Sequence, residues 1–167
     1  ANFATGIPAD AAIDSAFMKL YVAESDSETV DITVHEINAP WEEGFVTYSG
    51  LEGNYAASPS TNFSVADTGW VMVDISAAVT GWFDGSLDNY GLLLNQLDTL
   101  KEWTEFNSRE ADSLNPMLLV HYTVNGSAAV DTVMAYADTY VDSVLADQNF
   151  GTETDLYTGR GDDSDDG

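Results

Sequence analysis

Apolar residues recur at every second position along most of this chain. Val30, Ile32 and Val34 alternate with Asp31, Thr33 and His35, and Val71, Val73 and Ile75 with Trp70, Met72 and Asp74. Met18, Leu20 and Val22 alternate in the same way with Phe17, Lys19 and Tyr21. A period of two sends successive side chains to opposite faces of a strand, so the pattern specifies half-buried strands rather than amphipathic helices. Further strands are expected at 45–48, 91–95, 103–106 and 117–124, separated by turn-forming clusters at 24–28, 49–62, 84–89 and 107–116. Many short strands punctuated by turns predict an all-β sandwich or barrel. One short helix is expected at 76–83, capped by Ser76, with Ala77, Ala78, Val79 and Trp82 as its apolar side.

The 167 residues suffice for one domain with a sizeable core. Without cysteine, neither a disulfide framework nor a thiolate metal site can form. No run of 18 apolar residues is present, so no transmembrane helix is expected. The chain begins at Ala1, as a chain trimmed of a signal segment or a partial chain would.

Charge narrows the partners. Twenty-nine acids face four Lys and Arg, a formal net charge of −25. Phosphate backbones need a basic footprint, so nucleic acid is excluded as a partner. With 44% hydrophobic residues the chain is globular, and the acid forms a coat. Such a coat repels itself in dilute buffer, whereas at about 1 M salt the screening length falls to about 3 Å. A high-salt, halophilic setting is the expectation, with an acidic extracellular surface that collects Ca²⁺ as the alternative.

The end of the chain poses a separate problem. Residues 137–160 read as a strand, a turn-rich crossing and a second strand, placed after a body (1–124) that already closes at 117–124. The small-residue stretch 125–136 reads as a linker, and 161–167 as an acidic low-complexity tail.

Several stretches carry a family likeness: IDSAFMKLYV (13–22), VDITVHEI and WEEGFVTY (30–48), GWVMVDISAAVTGWFDGSLDNYGLLL (69–94), and FNSREA with PMLLVHYTV (106–124). Together they resemble the DNRLRE-type, or disaggregatase-related, domain, which is close to one group of carbohydrate-binding modules. The resemblance implies a jelly-roll-like β-sandwich of secreted and cell-surface proteins, often in tandem. It also implies that an element like 137–160 stands before the body, so the chain is permuted relative to that pattern.

Three arrangements accommodate the displaced element. It can complete a neighbouring subunit, fold back on its own body, or mark one register of a tandem repeat. The first is the expected one. It makes the chain a structural subunit of an extracellular, pilus-like filament that polymerises head-to-tail by donor-strand complementation, with identical subunits as partners. Ala137, Asp138, Thr139, Tyr140, Val141, Asp142, Val144, Phe150, Leu156 and Tyr157 would form the polymerisation strand, anchored around Tyr140 and Phe150. The alternative is a secreted cell-surface carbohydrate-binding module, with Trp41 and Trp103 stacking on sugar. Trp70 and Trp82 are the remaining tryptophans.

No catalytic constellation is present. His35 and His121 fall on the polar phase of strands and are expected at the surface. Glu42 and Glu43 are a carboxylate pair of the kind a glycosidase uses, but so acidic a chain produces such pairs by chance. No cofactor is expected beyond Ca²⁺, for which Asp138, Asp142 and Asp147 are the candidate oxygen ligands. Asp162, Asp163, Asp165 and Asp166 lack the glycine and glutamate of an EF-hand loop, and Arg160–Gly161–Asp162 reads as a coincidence. Asn62 and Asn125 each open a glycosylation sequon in an expected loop, which makes the chain a candidate glycoprotein.

Overall fold

A computed structural model describes residues 6–25, 29–96 and 103–159. The Arg160–Asp162 triplet and the terminal acids lie outside the described residues. The chain forms a sandwich of two antiparallel sheets. In the first, the long strand β1 (Ala12–Ser25) is central. Its residues 17–22 pair with β4 (Gly69–Asp74), 12–19 with β7 (Met117–Val124), and 22–25 with β6 (Trp103–Asn107). Val22 pairs with both Gly69 and Phe106, so β4 and β6 flank β1 on opposite sides. Phe17 pairs with both Asp74 and Leu119, which places β7 on the same side as β6. β6 and β7 therefore act as one broken strand, interrupted by the turn segment 108–116.

The second sheet has the order β3 (Thr61–Val65), β2 (Val30–Glu36), β5 (Leu92–Gln96). Val22, Val30, Ile32, Val65 and Phe106 meet between the sheets, all at most 1% exposed. A second part of the core joins Ala16, Val34, Val73, Val79 and Val120. The expected period of two thus produces the expected sandwich.

The expected helix is present as α2 (Ser76–Asp84), closed by Gly85 in the left-handed conformation (φ 78°). Ser76 is not its cap. The Asp74 carboxylate accepts from the Ser76 backbone N–H and hydroxyl, and Ser76 Oγ accepts from the Ala16 N–H at 2.9 Å. The strand expected at 45–48 is instead a turn leading into the one-turn helix α1 (Tyr48–Leu51), where Thr47 Oγ1 accepts from the Gly50 N–H.

The segment expected as a linker holds β8 (Ser127–Met134), which pairs along its whole length with β7. Asn125 (φ 50°) and Gly126 (φ 77°) make the two-residue turn between them. Asn-Gly is the standard sequence of a tight hairpin turn, because both positions need positive φ. Asn125 therefore sits at an exposed hairpin tip. Asn62 lies within β3 rather than in a loop, with its side chain exposed.

His121 is exposed, edge-on to Phe17. His35 is not at the surface: only 5% of it is exposed. The segment after Tyr55 closes over the polar phase of β2. His35 Nδ1 lies 2.7 Å from the Ala56 carbonyl and Nε2 3.0 Å from Thr33 Oγ1, while Tyr55 packs edge-on against the ring. The Ala56 oxygen can only accept, so Nδ1 carries a proton.

The C-terminal segment folds back onto its own body. Only its end is a strand, β9 (Asp155–Gly159), paired antiparallel with β6. The expected strand around Tyr140 is irregular backbone. Leu156 joins the main core, and Ser108 pins the segment by donating its N–H to the Thr154 carbonyl and its hydroxyl to the Glu153 carbonyl. Tyr140 stacks on the buried Phe150 at 4.2 Å and meets Tyr157 edge-on at 5.2 Å.

Candidate functional site

At one end of the sandwich the chain leaves β2 and runs through 38–51 as a loop and the helix α1. Ile37, Val46 and Leu51 are its buried feet, packed with Trp41, Tyr55, Tyr90, Leu93 and Val141. The Trp41 indole N–H donates to the Tyr90 carbonyl at 2.7 Å, which fixes the ring. Beside it opens a cleft of about 430 Å³ lined by Pro40, Trp41, Glu42, Phe45, Val46 and Gly50. Phe45 is 80% exposed at its rim. An aromatic wall, a free carboxylate at Glu42 and nearby backbone groups are the components of a site for a small polar ligand with an apolar face.

The tail braces this loop. The Asn149 side-chain amide donates to the Glu43 and Val46 carbonyls, both at 2.7 Å. Gly151 lies flat against the Glu43 backbone, where a Cβ would come within 2.2 Å of the carbonyl oxygen. The Ser49 N–H donates to the Ala146 carbonyl. Val141 packs under the loop itself.

A charged clasp completes the brace. The Arg109 guanidinium donates to both Glu43 oxygens through Nε and Nη2, and pairs with Glu110 at 2.8 Å. The Arg109 N–H donates to Asp138, and the Asp138 N–H donates back to Glu43. Loop 42–46, segment 108–116 and the tail are thereby tied at one point. Hydrogen bonding from Arg109 holds the Glu43 carboxyl below the usual carboxylate range. Desolvation acts oppositely on Asp138, pushing it up to about 6 against the bond from the Arg109 N–H.

The residues expected to carry function are thus dispersed. Trp41 lines the cleft. Trp103 lies on β6 against Tyr157, at 5.9 Å, in the row of rings that docks the tail. Trp82 packs against the core, and Trp70 lies on the outer face of the first sheet. Of the polymerisation residues, Val141, Leu156 and Tyr157 contact the chain's own body, Tyr140 stacks on the buried Phe150 within the tail, and Val144 is exposed. Of the three acids expected to bind Ca²⁺, Asp138 lies with Glu43 and Glu110, their oxygens within 4.8 Å of one another. Asp142 instead accepts from the Val144 and Leu145 N–H groups, and Asp147 is exposed. Glu43 lies about a hundred positions from Asn149 and Gly151, and no sequence signal marks their contact.

Two antiparallel sheets with an aromatic-lined cleft at one end define a β-sandwich domain. The chain belongs to carbohydrate-binding module family 96, whose model matches residues 2–122. No curated protein and no solved structure is significantly similar to the chain. The family match ends just before the β7–β8 turn, so β8 and the bracing tail lie beyond it. Among the described residues no helix is long and apolar enough to cross a membrane.

Proposed function

We propose that this chain is a glycan-binding module of an extracellular or cell-surface protein, and that its sugar enters the cleft between Trp41 and Phe45. One observation carries this reading: the Trp41 ring is locked by its bond to the Tyr90 carbonyl at the wall of an open cleft. A fixed ring offers its face to the C–H side of a pyranose without an ordering cost at binding. Glu42 then accepts from sugar hydroxyls at the rim. The module has no chemical step, because it holds a chain and does not cut it. Trp41→Ala and Phe45→Ala, titrated calorimetrically with a panel of soluble polysaccharides, test the assignment. Each should weaken binding by about tenfold or more, the loss of roughly 1.4 kcal/mol of stacking. Unchanged affinity in both variants would remove the cleft from consideration.

The head-to-tail filament is the second reading. It rests on the 20-residue connection, 135–154, that separates β8 from β9 without any strand of its own. A connection of that length can carry β9 to a neighbour's β6. In that case the permuted order of the DNRLRE-type pattern is what frees the segment for donation. Monodisperse monomer with the tail intact, in high and low salt, contradicts this reading and leaves glycan binding untouched.

A further inference from the structure

The middle of the first sheet's outer face, across β4, β1, β7 and β8, is largely apolar on a chain whose surface is otherwise acidic. Residues opposite one another on antiparallel strands share a face. The pairing therefore lays Met72, Lys19, Met117 and Met134 in one outward row across β4, β1, β7 and β8. Three of the chain's four methionines stand in that row. Trp70 lies to one side of it and Val130 to the other, and Met72, Met134 and Val130 are each more than half exposed. A contiguous apolar surface of this kind on a folded domain marks a contact site.

The geometry of the rings argues against sugar here. Tyr21 meets Trp70 edge-on at 79°, so the two do not form a flat platform, and Lys19 Nζ sits 4.1 Å above the Trp70 ring. Methionine is instead the adaptable side chain of protein–protein surfaces.

We propose that this face docks on the same face of a second copy of the domain. Charge selects that occupant. The chain carries −25, yet the outward positions of 17–21, 70–74, 117–121 and 130–134 hold one cation, Lys19, and one acid, Asp74, while Asp14 and Glu24 lie towards the two ends of β1. Two copies can meet at this face with their acid coats turned away from each other. Lys19 and Asp74 are diagonal neighbours on β1 and β4, roughly 7–8 Å apart. A two-fold axis passing between them, in the plane of the interface, sets Lys19 of each copy against Asp74 of the other. This self-complementarity is the hallmark of an isologous dimer. The face measures roughly 15 Å by 20 Å from strand spacing and rise, which places the dimer at the weak, reversible end of specific interfaces.

Sedimentation equilibrium of the full chain across salt concentration tests this. A reversible dimer should tighten as salt rises, because screening removes the repulsion of the two coats while apolar contact persists. Met72→Glu and Met134→Glu should each weaken it at least about tenfold, by burying an unpaired charge. Lys19→Asp and Asp74→Lys should each weaken it, and mixing the two single variants, neither of which keeps an opposite-charge pair within its own copy, should restore it. That rescue separates a cross-copy pair from a fold defect, and circular dichroism confirms that each variant is folded. Monomer at every salt up to roughly millimolar chain overturns the proposal. So does a dimer that survives both methionine variants, one that is lost only when the tail is deleted, or quenching of Trp70 by polysaccharide in its place.

Discussion

Gly151→Ala adds one methyl group where the tail crosses the cleft loop. The new Cβ would stand 2.2 Å from the Glu43 carbonyl oxygen and 2.8 Å from its carbon, both backbone atoms. No rotamer change relieves such a clash, so either the loop or the tail must move. Overpacking costs about 1–3 kcal/mol, and a backbone contact belongs at the upper end. Asn149, two residues away, would lose the geometry of its two bonds to the Glu43 and Val46 carbonyls. At 2–3 kcal/mol a domain of this size should lose roughly 5–10 °C in Tm. If instead only the tail lifts, Tm holds and amide exchange accelerates across 135–154 and 42–50. Either way glycan affinity should fall, because the Trp41–Phe45 loop loses its brace. Gly44→Ala is the control: it lies on the same loop, but its Cβ would meet nothing within 4 Å. If Gly151→Ala matches Gly44→Ala in Tm, exchange and affinity, the bracing role of the tail is refuted.

Two further outcomes follow from the same contacts. Asp138, raised to about 6, binds its proton more readily in the folded chain than in the unfolded one, so its contribution to stability falls as pH rises through that window. Glu43, lowered by Arg109, contributes stability above its ordinary carboxylate range and loses it below. The chain should therefore melt higher at about pH 5 than at pH 7, and Asp138→Asn should flatten that difference; a parallel pH profile in the variant would contradict the clasp. Gly126→Ala should cost about 1–2 kcal/mol in urea unfolding, because φ is 77° there and a Cβ meets nothing else, so the loss is purely conformational.

Strands β1, β2, β4 and β7 were legible in sequence because one face of each is buried and the other is not, which writes the period of two directly. β3 and β8 were not. Thr61–Val65 and Ser127–Met134 are rich in small and polar residues, and both lie at sheet edges, where packing demands less of the side chain. The Asn125–Gly126 pair, read as the start of a linker, is the turn of the β7–β8 hairpin. His35 was misplaced for a related reason: alternation predicts a wet face only where nothing covers the sheet, and the chain after Tyr55 covers this one. The apolar anchors of the tail were readable as anchors. Their destination was not, because a segment's reach to its own body and to a neighbour's is similar. Trp41 was recognisable as a ring with a possible binding role. The brace beneath it, Glu43 with Arg109, Asn149 and Gly151, joins residues 66 or more positions apart and exists only in the fold.

The four tryptophans offer the most direct test of where a glycan lies. Trp41, Trp70, Trp82 and Trp103 give four indole N–H signals in a heteronuclear NMR spectrum, each from a different region of the domain. On titration with a binding oligosaccharide, the Trp41 indole and the amides of 40–50 should shift first and furthest, with the Trp103 and Trp70 indoles nearly still. Shifts confined to Trp70 or Trp103, with Trp41 unmoved, would contradict the cleft as the binding site.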